Sequence, residues 1–363
     1  MSSERSYIMR KKIGLIIAAA LTITSMLASL EGGVAKGKLV VYHAGSLSVP
    51  FEELSDAFED THPGVEVLCE SGGSAMMISK SITLERAGEN PPDIIASADY
   101  ALIPGRLYED GYADFYIAFA RNEMVLCYRD HAPFSGSIAS GERTWYDVLR
   151  NERVTCGHSN PDLDPCGYRT LMLIQLAQKY YFGEAANFGL TPDPEAQELY
   201  DALIPGDGHK RGRYGSGGEA VSRKSVDLIS TLQSGDLDYA FEYRSVATQH
   251  GLNFIELHPA INLSQIGIMG DTALTYEDFY GSSGVEIEKK PGLYVAENGK
   301  PIVYGITIPE NAPHKHLASE FILLLLEDQG REIMEANGQL NVIPPVCDHP
   351  ENLPPQLKEA IYG

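Results

Sequence analysis

Two stretches early in the chain put small hydroxyl residues directly behind short apolar runs. Leu39–Tyr42 leads into His43-Ala44-Gly45-Ser46, and Val65–Cys69 leads into Ser71-Gly72-Gly73-Ser74. Helical periodicity follows each, over Val49–Thr61 and Ser74–Ala87. A helix N-terminus carries unpaired N–H groups and a partial positive charge, so a serine there with small neighbours forms a socket for an oxyanion. Ser46 and Ser74 can each donate a hydroxyl while the small residues beside them let backbone amides approach. The alternative is that each serine only caps its helix. Two such ends in adjacent units strengthen the binding reading, because ligands of open α/β sheets sit at the carboxyl ends of strands.

A third candidate is Asn160-Pro161-Asp162-Leu163-Asp164-Pro165-Cys166-Gly167-Tyr168-Arg169, running into the apolar segment Leu171–Tyr181. Asp164 followed by Pro165 has the form of an N-cap with proline in the first turn. If Asp164 also faces a bound dianion, Coulomb repulsion forbids a bare contact. Either the carboxyl is protonated and donates a hydrogen bond, or it bonds directly to the central atom of the anion. The second route is closed to sulfate, whose small sulfur does not expand its shell, and open to a large d-block centre.

Catalytic signatures are missing. No stretch reads Gly-x-Ser-x-Gly: Gly45-Ser46 continues as Leu47-Ser48, and Gly281-Ser282-Ser283-Gly284 has the wrong spacing. There is no P-loop and no His-Glu-x-x-His. The chain is therefore expected to bind and not to catalyse, with an exported hydrolase of anionic esters as the remote alternative.

The composition bounds the partners. In 363 residues, 28 Lys+Arg stand against 50 Asp+Glu, a formal charge of -22, which disfavours nucleic acid and anionic membrane surfaces. Arg10, Lys11 and Lys12 precede an uncharged run from Ile13 to Leu30, and Val34-Ala35 suits a signal peptidase, so residues 1–35 read as an export signal or N-terminal anchor. Without them the charge is -24. The five Cys (69, 127, 156, 166, 347) are widely spaced and odd in number, defining neither a disulfide framework nor a metal knuckle; most are expected as buried thiols.

The elements that must position these groups alternate. Beyond the two units above, Asp93–Ala96 reads as a strand, giving repeated βαβ and a parallel sheet covered by helices. Ile117–Tyr128 has the pattern of a strand running from one lobe into another. Val154–Cys156 and Asp238–Tyr243 read as strands, and Tyr168–Phe182 and Ser225–Gln233 as helices. Ile302–Thr307, His316–Leu326 and Gly330–Ala336 resume the pattern and return to the first lobe, while Pro205–Gly218 reads as a surface loop. Two lobes joined by crossing strands make a cleft. The expected division is 36–118 for the first part of lobe 1, 119–244 for lobe 2, and 245–363 for the return.

The run Val41-Tyr42-His43-Ala44-Gly45-Ser46-Leu47-Ser48-Val49-Pro50-Phe51 closely resembles the start of the archaeal molybdate/tungstate-binding proteins of ABC importers. Further segments agree: Gly73-Ser74-Ala75, Ala96-Ser97-Ala98-Asp99-Tyr100, Phe119-Ala120-Arg121-Asn122, Asp164-Pro165-x-Gly167-Tyr168-Arg169, Tyr243-Arg244-Ser245-Val246-Ala247 and Pro301-Ile302-Val303-Tyr304-Gly305. The resemblance spans nearly all of the chain after the leader. It implies a two-lobed periplasmic-binding-protein fold of class II type, each lobe a mainly parallel sheet flanked by helices, with a hinge of crossing strands. It also implies capture of molybdate or tungstate outside the cytoplasmic membrane and delivery to a membrane permease; no further cofactor is expected, and export and a cleft suggest a monomer. Sulfate, phosphate or another tetrahedral oxyanion is the alternative ligand.

Carried over by motif, Ser46 and Ser74 donate hydroxyls, with the Leu47 amide beside Ser46. Asp164 supplies a carboxylate oxygen to the metal, the amides of Pro165's successors, Cys166 first, meet anion oxygens, and Tyr243 donates its phenol. The family is similar in using a second carboxylate, a Glu eighteen residues before that tyrosine, to reach six-coordination. Here Ser225 stands at that position. Ser225 could bond an oxygen of a four-coordinate anion, or Glu219 or Asp227 could substitute. Glu242 is the weaker substitute, since strand alternation sends it to the face opposite Tyr243.

Overall fold

Short runs rich in β-branched and aromatic residues build two separate sheets, each closed over by helices. The computed structural model describes residues 37–151, 153–183, 199, 203, 213–214, 218–219, 221–222, 224–270 and 274–363. The expected leader and most of the loop 205–218 lie outside the described residues. Among the described residues no helix is long and apolar enough to cross a membrane.

The chain enters with β1 (Gly37–Ala44), β2 (Val65–Gly72), β3 (Ile94–Ser97) and β4 (Ile117–Arg121). It crosses over and forms β5 (Met124–Tyr128), β6 (Cys156–Ser159), the small pair β7 (Arg213–Tyr214) and β8 (Gly218–Glu219), then β9 (Val221–Ser222), β10 (Tyr239–Tyr243) and β11 (Asn253–Glu256). A hairpin of β12 (Gly284–Lys290) and β13 (Leu293–Asn298) follows, and β14 (Val303–Thr307) and β15 (Leu340–Cys347) complete the first sheet. The sheet orders are β15-β4-β14-β3-β1-β2 and β11-β5-β10-β6-β9.

Both sheets are mixed, which corrects the expectation of mainly parallel ones. β1 pairs in parallel with β2 and β3, but β14 runs antiparallel to β3 and β4, and β15 antiparallel to β4. In the second sheet β6 is parallel to β9 and β10, while β5 is antiparallel to β10 and β11. The cause is the crossing itself: strands carrying the chain out of a lobe and back must run against each other.

The return point also differs. It falls between Ile302 and Val303, not at residue 245, because β11 pairs with β5. Leu257, Ile261, Phe279, Tyr280, Val285 and Ile287 share one core with Met124, Trp145 and Leu173. The outward crossing is the pair Asn122-Glu123, between β4 and β5. The core of the first lobe gathers Leu39, Val41, Phe51, Phe58, Ile117, Tyr304 and Phe321. Phe321, Ile322, Leu325 and Leu326 form the buried stripe of the helix Lys315–Leu326.

Four of the five cysteines are buried thiols and Cys69 is exposed. His314 donates its backbone amide to buried Asp93 (2.7 Å).

Phe51 is fully buried, with ring centroids of His43, Phe321 and Phe119 at 5.3, 6.0 and 6.3 Å. Phe51→Ala should therefore lower the unfolding free energy by about 3–5 kcal/mol in a urea titration, and a loss under about 1 kcal/mol would contradict this packing.

Candidate functional site

The register of β1 and β2 places Ala44 opposite Gly72, and that of β1 and β3 places His43 opposite Ala96. The three parallel strands therefore stop at nearly one level, and the segments leaving them border a single cavity of about 240 Å³. Gly45, Ser46, Gly73, Ser74, Ala98 and Tyr304 line it from the first lobe, Asp164, Pro165, Arg169 and Tyr243 from the second, and Asn122 and Ile302 from the crossings. A Cβ at Gly72 would lie 2.6 Å from Met76 Cε, so a side chain at that strand end would have to displace the Met76 methyl.

Neither serine caps its own helix. Ser46 lies in the short turn Gly45–Leu47, whose N-cap, Ala44, makes no side-chain bond. Ser46 Oγ accepts from the Tyr304 hydroxyl (3.1 Å), and its carbonyl accepts from Gln339 Nε2 (2.9 Å). Ser74 is the first residue of the helix Ser74–Arg86, and its Oγ accepts from the Ala98 amide (3.0 Å). The Tyr243 hydroxyl accepts from Arg169 (2.7 Å), and burial pushes the phenol well above its ordinary pKa. All three hydroxyl oxygens thus accept from a protein donor and keep their own proton to offer elsewhere.

Asp164 does cap. Its Oδ1 accepts from the Cys166 amide (2.9 Å) at the start of the helix Pro165–Gln178. Its Oδ2 accepts from the Ser225 amide (2.6 Å) at the start of the helix Ser225–Ser234, so one carboxyl joins two helix N-termini. The Cys166 amide, expected at an anion oxygen, is taken by this cap, and Cys166 is fully buried. Ser225 is buried with its amide turned to Asp164, and Leu47 is fully buried; neither borders the cavity. Gly167 allows the capping loop to close, since a Cβ there would lie 2.3 Å from the Ser159 carbonyl oxygen.

The possible second carboxylates are scattered. Asp227 is exposed and accepts from the Lys224 amide (3.2 Å), and the Glu219 side chain lies outside the described residues. Glu242 is fully buried behind the wall. Its Oε2 accepts from the Tyr243 amide (2.8 Å) and the Cys166 thiol (3.8 Å), and Oε1 has no partner. Arg169 is the one cation among the described residues that line the cavity.

Arg169, Asn122 and Tyr304 are wall residues to which the sequence reading gave no role. The signal was a polar residue inside a short apolar stretch, as in Phe-Ala-Arg-Asn and Ile-Val-Tyr.

Burial pushes the Glu242 carboxyl from 4.5 up to about 7. Between those values the folded protein holds a proton that the unfolded chain has released, so this group erodes stability as pH rises through the window, and fully so above it. The loss is on the order of 3 kcal/mol. Glu242→Gln should flatten that part of the melting-temperature profile, and a slope unchanged between about pH 4.5 and 7 would refute the assignment.

Residues 39–339 match the family described as bacterial extracellular solute-binding protein. A solute-binding protein of Petrotoga mobilis, itself uncharacterized, is 38% identical over 328 residues, covering 90% of this chain and 91% of the relative. The molybdate/tungstate-binding protein WtpA of Pyrococcus abyssi is 33% identical over 379 residues, covering 96% of this chain and 98% of its own. Among solved structures, a substrate-binding domain assigned to a molybdenum ABC transporter of Clostridium difficile superposes with a TM-score of 0.53 at 15% identity, covering 84% of this chain and 99% of that one. That structure speaks for the fold alone. Two lobes, two crossings and a cavity between them agree with the sequence match, and the chain belongs to the bacterial extracellular solute-binding proteins, with a periplasmic-binding-protein fold.

Proposed function

We propose that the cavity captures molybdate or tungstate outside the cytoplasmic membrane and hands it, as a monomer, to the permease of an ABC importer. The observation that carries this reading is the mixture of wall groups: hydroxyl protons of Ser46, Ser74 and Tyr243 available from both lobes, beside the single carboxylate of Asp164. Hydroxyls suit the oxygens of an anion. The carboxylate repels those oxygens, so its presence favours an anion whose centre can accept a carboxylate oxygen. Arg169 offsets part of the repulsion from the same wall. The relationship to a protein named for molybdate and tungstate supports the same ligand.

In this reading Asp164 contributes the contact to the metal with a lone pair left over from its two amide bonds. Ser225 leaves no second carboxylate at the expected position, so the bound anion stays nearer to four-coordinate than the family pattern implies. Hydrogen phosphate is the second reading, since its proton could be given to Asp164; sulfate has neither a proton nor an expandable centre to offer.

Calorimetric titration of tungstate, molybdate, sulfate and phosphate tests the reading directly. Tungstate and molybdate should bind far more tightly than sulfate. Asp164→Asn removes the charge at the cost of one of the two amide bonds, since its NH₂ cannot accept, and should still move the two classes in opposite directions once folding is confirmed by a melting curve: tungstate weakened by about tenfold or more, sulfate strengthened, for a change of about 1.4 kcal/mol each way. Equal affinities for tungstate and sulfate in the unsubstituted protein would remove the metal contact.

A further inference from the structure

We infer that Asn122 and Tyr304 form a relay that aims the Ser46 proton into the cavity; the inference rests on the reading of that cavity as an oxyanion site. Asn122 occupies the outward crossing between β4 and β5, and Tyr304 lies on β14 beside the returning one. Both side chains, and that of Ser245, are 1% exposed.

The direction of the relay follows from the backbone. Asn122 Oδ1 faces two amides, those of Glu123 (3.0 Å) and Ser245 (3.3 Å), and a backbone N–H can only donate. The oxygen of the side-chain amide must therefore lie on that side, which turns its NH₂ group toward Ser245 Oγ (2.8 Å) and the Tyr304 hydroxyl (3.1 Å). Tyr304 accepts from Asn122 and donates its own proton to Ser46 Oγ. Burial pushes the Tyr304 phenol above its ordinary pKa, so that proton stays in place. Ser46 in turn accepts, and its hydroxyl proton is the one left to point at an anion. Each bond polarises the next, so the last donor is stronger than an isolated serine.

Tyr304 and Asn122 are thus positioning residues for Ser46. One of the two amides that set the direction belongs to Ser245, on the helix Arg244–Gln249 of the second lobe. The donor of one lobe is aimed in part by the backbone of the other.

A double-mutant cycle on the full chain tests this, using calorimetry with whichever of the four anions the unsubstituted protein binds most tightly. Tyr304→Phe keeps the ring and removes the hydroxyl, and should weaken binding by about three- to tenfold. In the Ser46→Ala background the same change should cost less than about twofold, because the donor through which Tyr304 acts is already gone. Additive losses would overturn the relay and leave the oxyanion reading standing. Failure of the unsubstituted protein to bind any of the four anions would overturn both. Should melting curves show that Tyr304→Phe does not fold, Asn122→Ala enters the same cycle with the same expected non-additivity.

Discussion

Two strand ends that stop level with each other decide where a small ligand can sit. With Ala44 paired to Gly72 in a parallel register, the segments after β1 and β2 leave the sheet side by side, and the helices Ser48–Thr61 and Ser74–Arg86 begin on the same rim. Antiparallel neighbours would have sent one of those ends to the opposite edge. The ends of the Met76 and Met77 side chains lie beside Gly72, so a larger residue there would have to push them aside. Ser46, Ser74 and Ala98 meet at one wall as a result of register, and their hydroxyls and amides become partners only because they arrive at the same height.

A protein with a formal charge of -22 looks like a poor host for an anion. The objection weakens with distance, since exposed charges more than about 8–10 Å away are largely screened at ordinary salt. What acts inside the cavity is the local set: one guanidinium, one carboxylate, and hydroxyls whose acceptor sides are already occupied. The Asp164 carboxylate is itself balanced by two helix N-termini, which lets a negative group stand in the wall without a neighbouring cation of its own.

The βα units at the start of the chain were legible because their apolar runs are long enough to show a period and their ends are marked by glycine and serine. Ser46, Ser74, Asp164 and Tyr243 do converge on one cavity. The strand expected over Val154–Cys156 sits instead at Cys156–Ser159, where buried His158 and Ser159 break the apolar pattern and His158 Nδ1 bonds the Ser159 carbonyl. The late return to the first lobe was hidden for a related reason: β11 is partly exposed, and the hairpin after it shows Leu293, Tyr294 and Val295 to solvent, so neither reads as core. Ile-Val-Tyr marks Tyr304 as a polar group in an apolar stretch but does not say what its hydroxyl meets. Its ring looks like any buried aromatic, and the amide that directs its hydroxyl is 182 residues away.

The polar character of the junction has a mechanical meaning. None of the apolar clusters among the described residues draws on both sheets; each lobe keeps its own. Between them run the Asn122 bonds, the Arg244–Glu123 ion pair (2.8 Å) and the Gln249–Asn337 contact (3.3 Å). A hydrogen bond exchanged for water changes the free energy by only about 0.5–1.5 kcal/mol, whereas exposing a buried leucine or phenylalanine costs about 1.5–3 kcal/mol. Lobes joined this way can change their mutual angle without opening either core. Glu123 and Asn122 are themselves buried, so those exchanges are confined to a few bonds at the crossing, and the fold can respond to a ligand there while the sheets on either side stay as they are.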